Sequence, residues 1–238
     1  MSGAGAPDFY YREAQRLGYV ARSAFKLLQM QKQFKLITPG ASVLDLGCAP
    51  GAWLQVACQS LGPLKNGGAV VGVDLKKVKV PQLHCDARVQ TVCADVMNLM
   101  RPQARALSPK GNGFSVILSD MCPPVSGIHT KDAVLSSELG MRALFLAMGR
   151  CSITDSSSLV SSEEVMDSSD DDEDGVLKPG GHIIIKLLES EVSQGFRHLC
   201  KPRFKKVSWL RPKATRVLDH SLIGRCILVF GAVDQAST

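Results

Sequence analysis

The chain is 238 residues long and 45% hydrophobic, which suits one domain with an ample core and requires no second. No apolar run approaches the ~18 residues needed to span a membrane. Met1 to Pro7 carry neither a charged n-region nor an apolar h-region, so secretion is not expected. They also lack the Arg-rich amphipathic pattern of a transit peptide; the expected location is intracellular, with nucleus, mitochondrion and plastid left open. Eight cysteines are scattered without C-x-x-C spacing, several of them inside apolar strands. They read as buried thiols in a reducing compartment, with no metal site and no disulfide frame.

The net charge of +6 understates the basic character. Nine of the 22 acidic residues lie between Ser152 and Gly175, a stretch with no Lys or Arg. The rest of the chain sets 28 basic against 13 acidic residues, a balance of +15. So basic a body points to a polyanionic partner, with counterion release supplying affinity.

From the amino terminus, residues 1–41 read as a helical, basic extension ahead of a domain at 42–238. Within it, Asp8 to Lys35 has a rough 3–4 residue apolar spacing through Phe9, Tyr10, Ala14, Leu17, Ala21, Ala24, Phe25 and Leu28. Gly18-Tyr19 should break it into two helices, and Thr38-Pro39-Gly40 introduces the first strand. Val43 to Leu46 is apolar and β-favouring, the mark of a strand buried on both faces. Further strands are predicted at Ala69–Val73, Val89–Cys93, Phe114–Leu118 and His182–Ile185, at the intervals of βαβ units. Helices are predicted over Trp53–Cys58 and Glu138–Gly149. Lys206–Leu210 and Cys226–Phe230 look like a closing antiparallel pair. The Ser/Asp/Glu run at 152–175 cannot bury apolar surface and is expected to be a disordered insertion.

Four of the first five strands end within two residues of an aspartate: Asp45, Asp74, Asp95 and Asp120. The fifth ends at Lys186. Each aspartate alone is a common cap or turn former, but four in register would line one edge of a sheet. In open α/β sheets that edge is where ligands bind. The turn Gly47-Cys48-Ala49-Pro50-Gly51 follows the first strand and opens a helix at Trp53, so a nucleotide-like cofactor belongs over Gly47 to Trp53. Read as a dinucleotide fingerprint the turn is degraded: two of three glycines are alanine, and Pro50 removes a donor from a phosphate cradle. Asp45 suits a cationic amino group better than a pyrophosphate. S-adenosylmethionine carries such a group and no phosphate. Asp74 is placed to accept from ribose hydroxyls, a role that NAD would share, and Asp95 from an adenine amine. Trp53 reads as a pocket wall or a packed core residue.

Lys186 emerges from Ile183-Ile184-Ile185, where partial desolvation favours a neutral amine, and a nearby Lys26 would push the same way. A neutral lysine can take the proton of a hydroxyl that attacks a sulfonium methyl, with Asp120 orienting it. A hydroxyl on a polyanion suggests the ribose 2′-OH, which separates RNA from DNA. The amino-terminal basic residues and the run Arg197, Lys201, Arg203, Lys205, Lys206, Arg211, Lys213, Arg216 would hold phosphates on either side.

These motifs resemble the FtsJ/RrmJ family of RNA 2′-O-ribose methyltransferases. The residues that carry the resemblance are Arg22-Ser23-Ala24-Phe25-Lys26-Leu27, Val43 through Trp53, Gly72-Val73-Asp74-Leu75, Leu118-Ser119-Asp120-Met121 and Leu177-Lys178-Pro179-Gly180-Gly181 with Lys186. They run over most of the chain, about Tyr10 to Ala232. The resemblance implies a Rossmann-like α/β fold with a mostly parallel seven-stranded sheet and an antiparallel last strand. It implies S-adenosylmethionine bound at Gly51, Trp53, Asp74, Asp95 and Asp120, and a Lys-Asp-Lys-Glu set of which Lys26, Asp120 and Lys186 are present, Lys186 as proton acceptor. The fourth member does not carry over: the chain reads Gly224-Arg225-Cys226 where the family has Arg-Glu, with Glu189, Glu191 or Asp219 as substitutes open. Asp120-Met121-Cys122-Pro123-Pro124 also departs from the family's Asp-Met-Ala-Pro-Asn. The expected protein is a monomeric enzyme acting on a uridine of large-subunit ribosomal RNA within a ribosomal subunit. Transfer RNA or mRNA-cap methylation, and a non-catalytic RNA-binding or ribosome-assembly factor on the same fold, are the alternatives.

Overall fold

The computed structural model of the chain describes residues 9–124, 126–149, 175–188 and 190–215. The expected acidic insertion, the strand at 226–230, Arg216, Asp219, Glu189 and the Gly224-Arg225-Cys226 segment lie outside the described residues. Five parallel strands form one sheet in the order β3-β2-β1-β4-β5, with β1 at Ser42–Leu46, β2 at Ala69–Asp74, β3 at Val89–Cys93, β4 at Phe114–Ser119 and β5 at Leu177–Ile185. Helices are α1 (Phe9–Arg16), α2 (Ala24–Phe34), α3 (Ala52–Ser60), α4 (Arg101–Ala106), α5 (His129–Met148) and α6 (Glu191–Cys200).

Strand residues alternate between two apolar layers, as a two-residue period demands. Val43, Val70, Val116, Leu118 and Ile184 pack with Ala24, Leu27 and Met30 of α2 and with Trp53 to Cys58 of α3. Leu44, Leu46, Val71, Val73, Ile117, Ile183 and Ile185 pack with Ala104, Ala143, Leu144 and Phe196 of α4, α5 and α6. The result is a three-layer Rossmann-like α/β fold with helices on both faces. The amino-terminal extension belongs to this packing, because α2 contributes three fully buried side chains to the α3 layer. Among the described residues no helix is long and apolar enough to cross a membrane.

The extension breaks where expected, between α1 and α2. Gly18 turns with φ +77, and a Cβ there would stand 2.6 Å from Leu83 Cδ1. Three elements differ from their predicted extents. Helix α5 begins at His129, nine residues before the predicted start, because the Asp132 carboxylate accepts from the Ser126 amide (2.9 Å) and hydroxyl (2.6 Å) and organises its first turn. Strand β5 begins at Leu177 rather than His182; Phe114 pairs with Leu177 and Val116 with His182, so Lys178 to Gly181 bulge out of the ladder around Pro179 and Gly180. Lys206–Leu210 forms no strand. Its partly buried Val207, Trp209 and Leu210 pack on the two apolar layers instead, and the predicted partner lies outside the described residues.

Candidate active site

Strand order reverses between β1 and β4, and the loops that leave their carboxyl ends define a crevice at the switch point. The two loops are pressed together. The Asp120 amide donates to the Leu46 carbonyl at 3.2 Å, and the Lys186 amide to the Ser119 carbonyl at 2.9 Å. A Cβ on Gly47, whose φ is +76, would meet the Met121 backbone at 3.0 Å. Gly47 is therefore needed first for loop-on-loop packing. Gly51, φ +111, turns the chain into α3 beneath Pro81, 2.8 Å from where its Cβ would be. The intervening Ala49–Pro50 peptide is cis.

Four of the predicted side chains meet at this edge. Lys186 Nζ lies 2.7 Å from Asp120 Oδ1 and donates to the Asp120 carbonyl at 2.5 Å. The carboxylate contact is an ion pair without hydrogen-bond geometry, which leaves Oδ1 without a hydrogen-bond partner. Asp45 is wholly buried, and neither of its carboxylate oxygens has a hydrogen-bond partner. Burial holds its carboxyl well above the usual carboxylate range, Asp120 and Asp74 add to the shift, and Lys186 opposes it. The neighbouring Cys48 thiol is pushed up by burial, to which the carboxyl groups of Asp45 and Asp74 add. Asp74 accepts from the Ala49 amide on one oxygen and from the Lys76 amide on the other, both at 2.9 Å, so it braces the Gly47–Gly51 turn. The lysine expected to be neutral thus stands against a carboxylate.

Asp95 lies one strand further along. Its oxygens accept from the Met97 amide (2.9 Å) and the Asn98 side chain (2.8 Å), the Asx turn that any aspartate in such a loop can form. Arg142 of α5 holds the same loop by donating to the carbonyls of Val96 (2.9 Å) and Leu99 (2.5 Å). Trp53 is 3% exposed and packs in the α2–α3 layer; its indole N–H donates to the Ser23 carbonyl at 2.9 Å. The Lys26 amide donates to that same carbonyl at 3.0 Å. Trp53 therefore fixes the turn of α2 that carries Lys26, a half-buried residue. Sequence reading missed Arg142, and also Gln55, the fully buried polar side chain within α3. Its signal was a glutamine in an otherwise apolar helical turn.

Of the cysteines, Cys48, Cys58 and Cys200 are buried as expected, whereas Cys93, the last residue of β3, and Cys122, in the loop after β4, are exposed. Among the described residues no cluster of three or more metal-ligating side chains occurs.

The expected cofactor suits the residues present. An orphaned buried carboxylate at Asp45 is the complement of a cationic amino group. No Lys or Arg stands between Gly47 and Trp53 to meet a pyrophosphate.

Comparison with known proteins places the chain in a family. The family of FtsJ-like methyltransferases matches residues 19–222. Ribosomal RNA large subunit methyltransferase E of Desulfatibacillum aliphaticivorans is 35% identical over 209 residues, covering 88% of this chain and 84% of its own. The protein of the same name from Syntrophobacter fumaroxidans is 34% identical, covering 88% and 89%. Among solved structures, a ribosomal RNA methyltransferase from Plasmodium falciparum superposes with a TM-score of 0.64 at 18% identity, over 91% of this chain and 98% of that one, a likeness of fold.

Proposed function

Because the chain belongs to the FtsJ-like methyltransferase family, we propose that it methylates a ribose 2′-hydroxyl of RNA, a uridine of large-subunit ribosomal RNA, with S-adenosylmethionine as donor. The observation that carries this reading is the Lys186–Asp120 pair at the switch point, beside the unpartnered Asp45. The names of the most similar relatives supply the ribosomal substrate.

When bound, S-adenosylmethionine supplies an electrophilic methyl group on a sulfonium. Asp45 receives its cationic amino group. Gly47 and Gly51 shape the floor, with Trp53 behind them. Asp74 accepts from the ribose hydroxyls through lone pairs that its two backbone contacts leave over, and Asp95 lies towards the base. Lys186 takes the proton of the attacking 2′-hydroxyl, which requires its amine unprotonated, and Asp120 aims it. Lys26 approaches from α2 on the face that carries Asp45.

The electrostatics support an RNA substrate. The two basic runs, far apart in sequence, are neighbours in the fold: Arg22 donates to the Ala214 carbonyl at 2.7 Å, the Lys213 amide to Gln29 Oε1 at 2.8 Å, and Lys206 Nζ lies 5.7 Å from the Phe34 ring centre. Together they border the side on which Lys26 stands.

The test is transfer of a radiolabelled methyl group to isolated large ribosomal subunits. Wild type should label a single 2′-O position, and Lys186→Ala should lower kcat by about 10²–10⁴-fold, the usual worth of a positioned proton acceptor. Binding of subunits with no incorporation by wild type would instead support the non-catalytic RNA-binding reading, for which the absent Arg-Glu pair at 224–226 speaks.

A further inference from the structure

We propose that Gln55 is a positioning residue: through one buried amide it sets where Lys26 stands relative to the donor site. The inference rests on the proposed methyl transfer for its kinetic consequence but not for its structural one.

Gln55 is 0% exposed, and every hydrogen bond it makes is to backbone. Its Oε1 accepts from the Val20 amide at 2.9 Å, and its Nε2 donates to the carbonyls of Gly18 and Leu83, both at 2.9 Å. Val20 and Gly18 belong to the linker between α1 and α2. Leu83 belongs to the loop between β2 and β3, whose Pro81 covers Gly51. One side chain thus ties the linker that leads to Lys26 to the loop that roofs the cofactor turn.

Its neighbours complete the clasp. One helical turn on, Gln59 Oε1 accepts from the Tyr19 hydroxyl and its Nε2 meets His84 Nδ1, both at 2.8 Å. An amide N–H directed at Nδ1 selects the tautomer with the proton on Nε2, which donates to the Leu17 carbonyl at 2.7 Å. Earlier in α3, Trp53 holds the Ser23 carbonyl that the Lys26 amide shares. Linker positions 17, 18, 19, 20 and 23 are therefore all fastened, directly or through His84, to the helix that begins at Gly51. The amides of Leu17, Gly18 and Tyr19 bond back to carbonyls of α1, and beyond that turn the linker is held by these side chains, the Val20 amide by Gln55 itself. Lys26 and the Gly47–Gly51 turn, to which the proposed reaction assigns acceptor and donor, thus share a single support in α3. In such a site a displacement of about 1 Å costs on the order of 10²-fold in rate.

Two variants test this. Gln55→Leu keeps the volume and strips all three hydrogen bonds; Gln55→Glu keeps the acceptor for Val20 but sets a carboxylate oxygen against the carbonyls of Gly18 and Leu83. Each is assayed by calorimetry for S-adenosylmethionine affinity, by kcat and KM on ribosomal subunits, and by amide hydrogen exchange over residues 17–23. The expected result is a kcat lowered tenfold or more, a cofactor Kd changed less than about threefold, and faster exchange at positions 18–23. If Gln55→Leu does not fold, Gln59→Leu, at the exposed end of the clasp, should show the same pattern at smaller size. Loss of cofactor affinity in step with kcat would overturn the proposal, as would wild-type kcat with a deprotected linker. Should wild type transfer no methyl group, the enzymatic reading fails by itself; unchanged exchange at 18–23 in Gln55→Leu would then overturn the clasp independently.

Discussion

Asp45 is a buried carboxyl group whose two oxygens have no hydrogen-bond partner, a placement that costs stability. An unfolded aspartate ionises near pH 3.9, whereas burial keeps this one protonated far above that value in the fold. The folded state therefore binds the extra proton, and stability falls as pH rises from about 4 until the raised value is passed. Asp45→Asn should remove this liability: its melting temperature should match wild type near pH 4 and exceed it by a few degrees at pH 7.5, in thermal melts without cofactor. The same variant should bind S-adenosylmethionine far more weakly. An ammonium brought beside Asp45 favours its ionised form, so uptake of the cofactor by wild type should release a proton at any pH where the free protein still holds Asp45 protonated. Calorimetry in buffers of different ionisation enthalpy reads that proton directly, and a buffer-independent heat would exclude it. Lys186→Arg should keep an ion pair with Asp120 yet lose activity, because a guanidinium does not give up its proton in the working range. The four strand-tip aspartates were legible because each lies within two residues of the carboxyl end of a strand. Gln55 was not, because its partners at 18, 20 and 83 come from separate elements and obey no period.

Among elements, the buried strands were the most legible. Val43–Leu46 and Phe114–Leu118 are apolar but for one residue each, Asp45 and Ser115, and such runs belong at the centre of a parallel sheet. The first half of β5 was hidden by Pro179-Gly180-Gly181, which reads as a turn and in the fold is a bulge within the strand. The short α4 and the polar start of α5 carry too little apolar periodicity to announce a helix; the first turn of α5 is tied to the preceding loop by Asp132, whose partner Ser126 lies six residues before it. Lys206–Leu210 erred in the other direction, since an apolar alternation shows burial but not what buries it. Arg142 of α5 invites a test at this scale, for it spans to the loop after β3 and ends in two backbone carbonyls. Arg142→Leu should leave those carbonyls without their charged donor. We expect cofactor affinity to weaken about tenfold, with less effect on KM for RNA, measured by calorimetry and steady-state transfer.

For the molecule as a whole, the three-layer sheet divides labour between its two ends. The crevice end holds the proposed site, and the basic runs converge beside it although nearly two hundred residues separate them, a convergence that net charge alone does not reveal. Replacing Lys206 and Lys213 by alanine should lower RNA affinity at low salt. It should also flatten the dependence of log K on log salt by about 0.7–0.9 for each phosphate no longer neutralised, without changing S-adenosylmethionine binding. The opposite end has its own character. There Gly175 lies so close to α5 that a Cβ would overlap the Ala147 carbonyl oxygen. The Val176 amide donates to the Leu146 carbonyl at 2.9 Å, and Arg105 donates to the Gly175 carbonyl at 2.8 Å. The chain thus departs after Gly149 and is caught again at Gly175 on nearly the same spot, about 20 Å down β4 from the reacting groups. A gap so narrow can be bridged by a stretch of almost any size at little entropic cost. That corner is a natural port: a fluorophore, an affinity handle or an evolutionary novelty grafted there would be a passenger that the catalytic rim does not notice.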